Sequence, residues 1–138
     1  MEVMENQRLT FASKTENLVK VESMVDDICK EFKVNEDFYG NILVAVTEAV
    51  NNAIQHGNKY DPAKNIDVNF LPEEKTIKVC VKDQGEGFDF DNLPDPTDPE
   101  NIEKPHGRGI FLMRHLADEV EFTDNGKTVE LSFNISAN

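Results

Sequence analysis

The chain has no tryptophan, only two cysteines, and no apolar run approaching the roughly 20 residues that a membrane-spanning helix needs, so no membrane segment is expected. Cys29 and Cys80 lie far apart and match no metal or redox spacing. They are expected as buried, reduced thiols, a state that suits a cytoplasmic protein. The opening MEVMENQR has no basic stretch followed by an apolar one, so no signal peptide is expected. Basic residues are scarce: 14 Lys and Arg stand against 27 Asp and Glu, a net charge of −13. No basic cluster is available to neutralise phosphates, which argues against direct nucleic-acid binding and favours a basic or mixed-charge protein partner. An acidic surface also serves plain solubility. At 138 residues and 38% hydrophobic, residues 1–138 are expected to form one domain with its own core.

Charge is also missing locally. GNILVAVTEAVNNAIQ, from Gly40 to Gln55, carries a single charge, Glu48, in a chain that is 30% charged. A helix this apolar is expected to be buried nearly all round, where one carboxylate is costly without a partner or a task. Asn52 lies four residues on and shares its helical face. A carboxylate and an amide so placed suit holding a cation and activating a hydroxyl or water. An ordinary polar strip on a helix is the bland alternative, and the apolar surroundings count against it.

Residues 7–13 (QRLTFAS) read as a first strand. Ser13 with Glu16 forms a capping box that predicts a helix start there. Leu18, Val21, Val25, Ile28 and Phe32 make one apolar stripe on that helix. The Glu48 helix follows, with Gly57 as its stop. Residues 65–71 and 76–82 alternate as two strands joined by a PEEK turn. Residues 88–106 hold four of the six prolines and six acidic residues against Lys104 alone, a composition that predicts a long mobile loop. A short helix over about 108–116 and strands 119–124 and 128–135 around Asn125-Gly126 complete the chain. The pattern predicts an α+β fold: a two-layer sandwich with a mixed, mostly antiparallel sheet and helices on one face.

Two glycine motifs follow the Glu48 helix. Asp83-Gln84-Gly85-Glu86-Gly87 ends a strand; its Asp can accept from an amino group, and its glycines admit a ring or phosphate close to the backbone. A tight turn is the alternative reading, and the spacing to Asp89 and Asp91 does not make an EF-hand. Gly107-Arg108-Gly109 opens a helix, whose N-terminal N–H groups and dipole attract anions. Such glycines serve equally as a packing device, and Arg108 reads as solvated. Gly126-Lys127-Thr128 is not a P-loop, because the position five residues before Gly126 holds Glu121 rather than Gly.

Taken in order, an Asn-bearing helix, D-x-G-x-G, a long loop, G-x-G at a helix start and a closing Gly…Thr hairpin resemble the Bergerat-fold ATPases. That superfamily includes histidine kinases, type II topoisomerases and mismatch-repair ATPases. EAVNNAIQHG, VKDQGEGFD, HGRGIFLMRHLADEVEF and NGKTVEL are similar to the anti-sigma-factor serine kinases of bacterial partner-switching systems, over about Leu9 to Phe133. The resemblance implies Glu48 as general base and Asn52 as the residue that binds Mg²⁺ through the nucleotide phosphates. It implies Asp83 at the adenine amino group, with Gly85 and Gly87 lining the pocket and Thr128 helping to hold the adenine end. Gly107 and Gly109 fall at the phosphates and hinge a lid of residues 88–106.

The reaction so implied is transfer of the ATP γ-phosphoryl group to a serine of a small anti-anti-sigma partner, with a sigma factor as the second partner and a homodimer as the assembly. Lys127 replaces the middle residue of the usual Gly-Thr-Thr. Pro105 and His106 stand where several relatives carry a basic residue, with Lys104 one step earlier; both departures bear on lid closure and transfer rate. Lys20 is either a partner contact or a solvated lysine. Rival readings are a nucleotide-binding module without phosphotransfer, which the presence of Glu48 disfavours, and a partner-switching regulator of another target. A histidine-kinase fragment lacks its phosphoacceptor helix pair: His56, His106 and His115 are not placed in one.

Overall fold

The computed structural model describes residues 6–87 and 105–135, with backbone alone for 105–108. The expected lid of residues 88–106 lies outside them up to residue 104. The elements run β1 (Gln7–Ala12), α1 (Leu18–Glu31), α2 (Glu36–Asn52), β2 (Asn65–Pro72), β3 (Thr76–Lys82), α3 (Pro105–Leu116), β4 (Glu119–Thr123) and β5 (Thr128–Asn134). The five strands form one sheet in the order β1-β2-β3-β5-β4. The α+β architecture is as expected, while the sheet is antiparallel at every pairing rather than mixed.

Strand alternation builds the core. Ile66, Val68 and Phe70 of β2 are buried, as are Ile77, Val79 and Val81 of β3 and Val129, Leu131 and Phe133 of β5. The register pairs them across the sheet, so they line a single face. The opposite face is polar; there Arg8 donates to both carboxylate oxygens of Asp67 at 2.7 Å. Cys29 is buried, but Cys80 is only half-buried because its register with Asn69 and Glu130 puts it on that polar face.

Three sequence expectations about the helices change. Ser13 does not cap a helix: its hydroxyl donates to the Lys64 carbonyl at 2.8 Å and accepts from Asn58. A 3-10 turn, Thr15–Asn17, intervenes, and α1 begins at Leu18 with Val21, Val25 and Ile28 inward. The second helix begins at Glu36, four residues before Gly40, because Asn35 accepts the Asp37 N–H at 2.9 Å and two acidic residues complement the first turn. Nor is α2 buried all round. It packs on α1, α3, β3 and β5, burying Ile42, Ala45, Val46, Ala49 and Val50, yet one strip stays open and Val44 is 41% exposed. Glu48 lies along that strip, half-buried.

Past Asn52 the helix widens into a π-turn over Ala53–Gly57, with Asn58 N–H bonded to the Ala53 carbonyl at 2.8 Å. Helix α3 starts three residues before the expected 108, at Pro105, a residue suited to a first helical position. Its Ile110 and Met113 are buried.

Candidate functional site

Helices α2 and α3 pack side by side and leave a cavity of about 180 Å³ between them. Glu48, Asn52, His56 and Gly109 line it together with Asn51, Gln55 and Leu112. The spacing of four between Glu48 and Asn52 therefore puts both at one opening, as the sequence predicted. Gly109 approaches so closely that a Cβ there would sit 3.2 Å from Glu48 Oε2. As the fifth residue of α3, Gly109 has its N–H inside the helical ladder, and its bare Cα allows the close approach to Glu48. Gly107 lies in the first turn, where N–H groups have no intrahelical partner. Among the described residues, neither Glu48 nor Asn52 has a side-chain hydrogen-bond partner. Burial pushes the His56 imidazole below its ordinary pKa, which favours the neutral ring at this wall.

The D-x-G-x-G loop meets the far end of the π-turn. Asp83 Oδ1 accepts the Gly85 N–H at 2.8 Å, and the Asp83 N–H bonds to the Lys127 carbonyl at 2.9 Å. A Cβ on Gly57 would run into the Asp83 carboxylate, and one on Gly85 would run into the Gly57 carbonyl. Gly57 is thus more than a helix stop: its bare Cα lets the carboxylate lie against the chain. Gly87 has φ +89°, and a Cβ there would meet the Asn125 carbonyl of the β4–β5 turn. Burial raises the Asp83 pKa; the Gly85 N–H, Lys127 and Lys64 pull it back in part.

Thr128 is 9% exposed at the start of β5, opposite Lys82. No hydrogen bond among the described residues joins it to Asp83; that link runs through its neighbour Lys127. Lys127, the departure noted in the sequence, therefore stands beside the Asp83 carboxylate. Sequence reasoning missed Asn58, which reads as an ordinary turn residue in HGNKYDP and proves to be buried and multiply bonded.

Two ends thus lie one helical turn apart. At one, the half-buried Asp83 carboxylate rests among glycines whose bare Cα atoms let chain segments lie against one another; at the other, a carboxylate and an amide share a cavity with Gly109 of α3. A family model for the histidine kinase-like ATPase domain matches residues 11–133. The chain belongs to that family. Among curated proteins it is 28% identical over 136 residues to "Serine-protein kinase RsbW" of Bacillus cereus (strain AH820), covering 94% of this chain and 84% of the relative. The same figures hold for the proteins of that name from Bacillus anthracis and Bacillus thuringiensis (strain Al Hakam). The crystal structure of the RsbU and RsbW domains of Rv1364c from Mycobacterium tuberculosis matches 98% of this chain with a TM-score of 0.72. Identity there is 16%, and the match covers 34% of that longer chain, so this likeness speaks for the fold. The superfamily resemblance read from the sequence is borne out, and the chain is similar to proteins of the serine-kinase branch. Among the described residues no helix is long and apolar enough to cross a membrane.

Proposed function

We propose that the protein is an ATP- and Mg²⁺-dependent serine kinase of a bacterial partner-switching system that also acts as an anti-sigma factor. The observation that carries this reading is the convergence of Glu48, Asn52 and Gly109 on one cavity, one turn from Asp83 and its glycines. The residues fit a nucleotide. Gly57 and Gly85 lack the Cβ atoms that would push the chain away from the Asp83 carboxylate, and Asp83 offers that carboxylate to an adenine amino group. Gly87 and the buried Thr128 border the same end. The unbonded N–H groups in the first turn of α3, at Gly107, suit phosphate.

Among the described residues no cluster of three His, Cys, Asp or Glu is available to a metal. A cation taking one ligand from Asn52 and the rest from phosphate and water is the arrangement Mg²⁺ favours. Asn52 would hold the ion, which would supply positive charge against the phosphates there. Glu48 takes the proton of the partner's serine as that oxygen bonds to the γ-phosphorus and the bond to the β-phosphate oxygen breaks, releasing ADP. The relatives named serine-protein kinase and the family match support this activity. An anti-anti-sigma protein bearing the target serine, a sigma factor, a homodimeric assembly, a single domain with its lid at residues 88–106, and a cytoplasmic location complete the proposal.

Calorimetric titration with ATP, with and without Mg²⁺, tests the site, and radiolabelled ATP with a small serine-bearing protein encoded beside this one tests transfer. Magnesium-dependent binding with label appearing on the partner is expected. Absence of binding at millimolar ATP overturns the proposal in favour of a nucleotide-free interaction domain.

A further inference from the structure

Asn58 follows the π-turn and is 1% exposed. Its Nδ2 donates to Ser13 Oγ at 2.6 Å and to the Asn65 carbonyl at 3.0 Å, while its Oδ1 accepts the Gln84 N–H at 2.7 Å. Gln84 answers with Oε1, which accepts the Asn65 N–H at 2.7 Å. The partners dictate which side of the amide faces which: a backbone N–H requires the oxygen, and a carbonyl requires the nitrogen. Three places distant in sequence meet on one side chain: the residue after β1, the start of β2, and the residue between Asp83 and Gly85.

We propose that Asn58 is a positioning residue that fixes the direction of the Asp83 carboxylate and thereby the preference of the site for adenine over guanine. The inference rests on the nucleotide reading given above. Asp83 is anchored at its own N–H by Lys127 and at its carboxylate by Gly85 N–H, so the two anchors flank Gln84. Gln84 is held through its N–H by Asn58 and through its side chain by Asn65. Releasing the Asn58 arm lets the peptide between the anchors turn and carries Gly85 N–H off the carboxylate. An adenine amino group donates to Asp83, whereas guanine presents a carbonyl oxygen at that edge and is repelled only while the carboxylate stays aimed at it. Aspartate at 58 keeps an acceptor for Gln84 N–H and loses both donors, whereas alanine loses all three bonds.

The test measures ATP and GTP affinity, melting temperature and amide hydrogen exchange in the whole chain and its variants. Asn58→Ala is expected to weaken ATP about tenfold, the cost of one well-placed charged hydrogen bond, to narrow the ATP-over-GTP ratio, and to speed exchange at Gln84 and Gly85. Ser13→Ala cuts a different arm and is expected to lower the melting temperature with the ratio unchanged. Asn58→Asp is expected to melt lower yet keep more of the ratio than Asn58→Ala, which decides the matter if the alanine variant fails to fold. An Asn58→Ala protein that melts lower but keeps the ratio and the Gly85 protection overturns the proposal, as does an Asn58→Asp protein with no ratio left. A wild-type chain that binds neither nucleotide defeats the site reading and with it the purine preference; exchange at Gly85 then reports separately on whether Asn58 holds the loop.

Discussion

Around Asp83 the chain is bonded to itself: Gly85, Gln84, Asn58, Asn65 and Lys127 tie the loop in place before anything binds. Around Glu48 the opposite holds. The side chains of Glu48 and Asn52 face a cavity of about 180 Å³ and have no hydrogen-bond partner among the described residues. A buried network with its partners in place is stiff, because any departure strands a buried donor or acceptor. The Asp83 end is thus shaped in advance and the Glu48 end is left open; on the proposed function the first selects the base and the second meets the phosphates. On the proposed function, selection and chemistry are divided between the two ends, and substitutions should separate them.

The largest effect is expected at the open end. Glu48→Gln keeps the shape of the cavity and removes the proton acceptor, so phosphotransfer should fall by about 10²- to 10⁴-fold while ATP affinity stays within a few-fold. Single-turnover transfer beside a binding titration checks this; normal transfer would remove Glu48 as the base. Gly85→Ala attacks the closed end, because its Cβ would land on the Gly57 carbonyl, a backbone atom that cannot swing aside as the tip of a side chain can. Overpacking of this kind costs about 1–3 kcal/mol, read from denaturant unfolding. Gly109→Ala is the contrast: its Cβ meets only the far end of a flexible carboxylate at 3.2 Å, so stability should change by less than about 0.5 kcal/mol. Equal costs for the two glycines would mean that the ends are equally rigid. Asp83→Asn should weaken ATP by about tenfold with transfer at saturating ATP retained, since it removes one charged acceptor and leaves Glu48 untouched.

The open end was the more legible in the sequence, and the reason is geometric. Glu48 and Asn52 stand on one helix, so their meeting follows from a local spacing of four, and the lone charge in an apolar run marks the place. The D-x-G-x-G loop advertised its glycines, but not what they make room for: Gly85 is bare because Gly57 lies against it, a contact across 28 positions that no local pattern encodes. Asn58 was invisible for the same reason, as its partners are Ser13, Asn65 and Gln84. Ser13 even misled, since a capping box with Glu16 is a sound local reading that loses to a buried amide and a carbonyl 51 residues away. The start of α2 was written locally in Asn35-Glu36-Asp37 and was masked by the more apolar stretch beyond Gly40. The π-turn leaves no mark in composition at all.

Lys127 offers the finest separation of the two ends, because it touches charge without touching shape. Burial holds the Asp83 carboxyl above its ordinary range, and the nearby ammonium groups of Lys127 and Lys64 pull it part of the way down. The folded chain therefore binds this proton more tightly than the unfolded chain does. Stability from this group falls as pH rises from the ordinary carboxylate value toward the raised one, and ligand binding runs the other way. Only the ionised carboxylate accepts an amino group with both oxygens free of a proton, so ATP affinity should fade as pH drops through the raised value, at a higher pH than an ordinary aspartate would give. Removing the charge in Lys127→Met strips one of the two lysines that lower the pKa, so the fade should move to still higher pH while affinity well above it changes little. Titrations of ATP across the acid range in both proteins check this. A fade at the same pH in both would mean that the Lys127 charge is screened from Asp83, leaving the hydrogen bond that its carbonyl accepts from the Asp83 N–H as its whole contribution there.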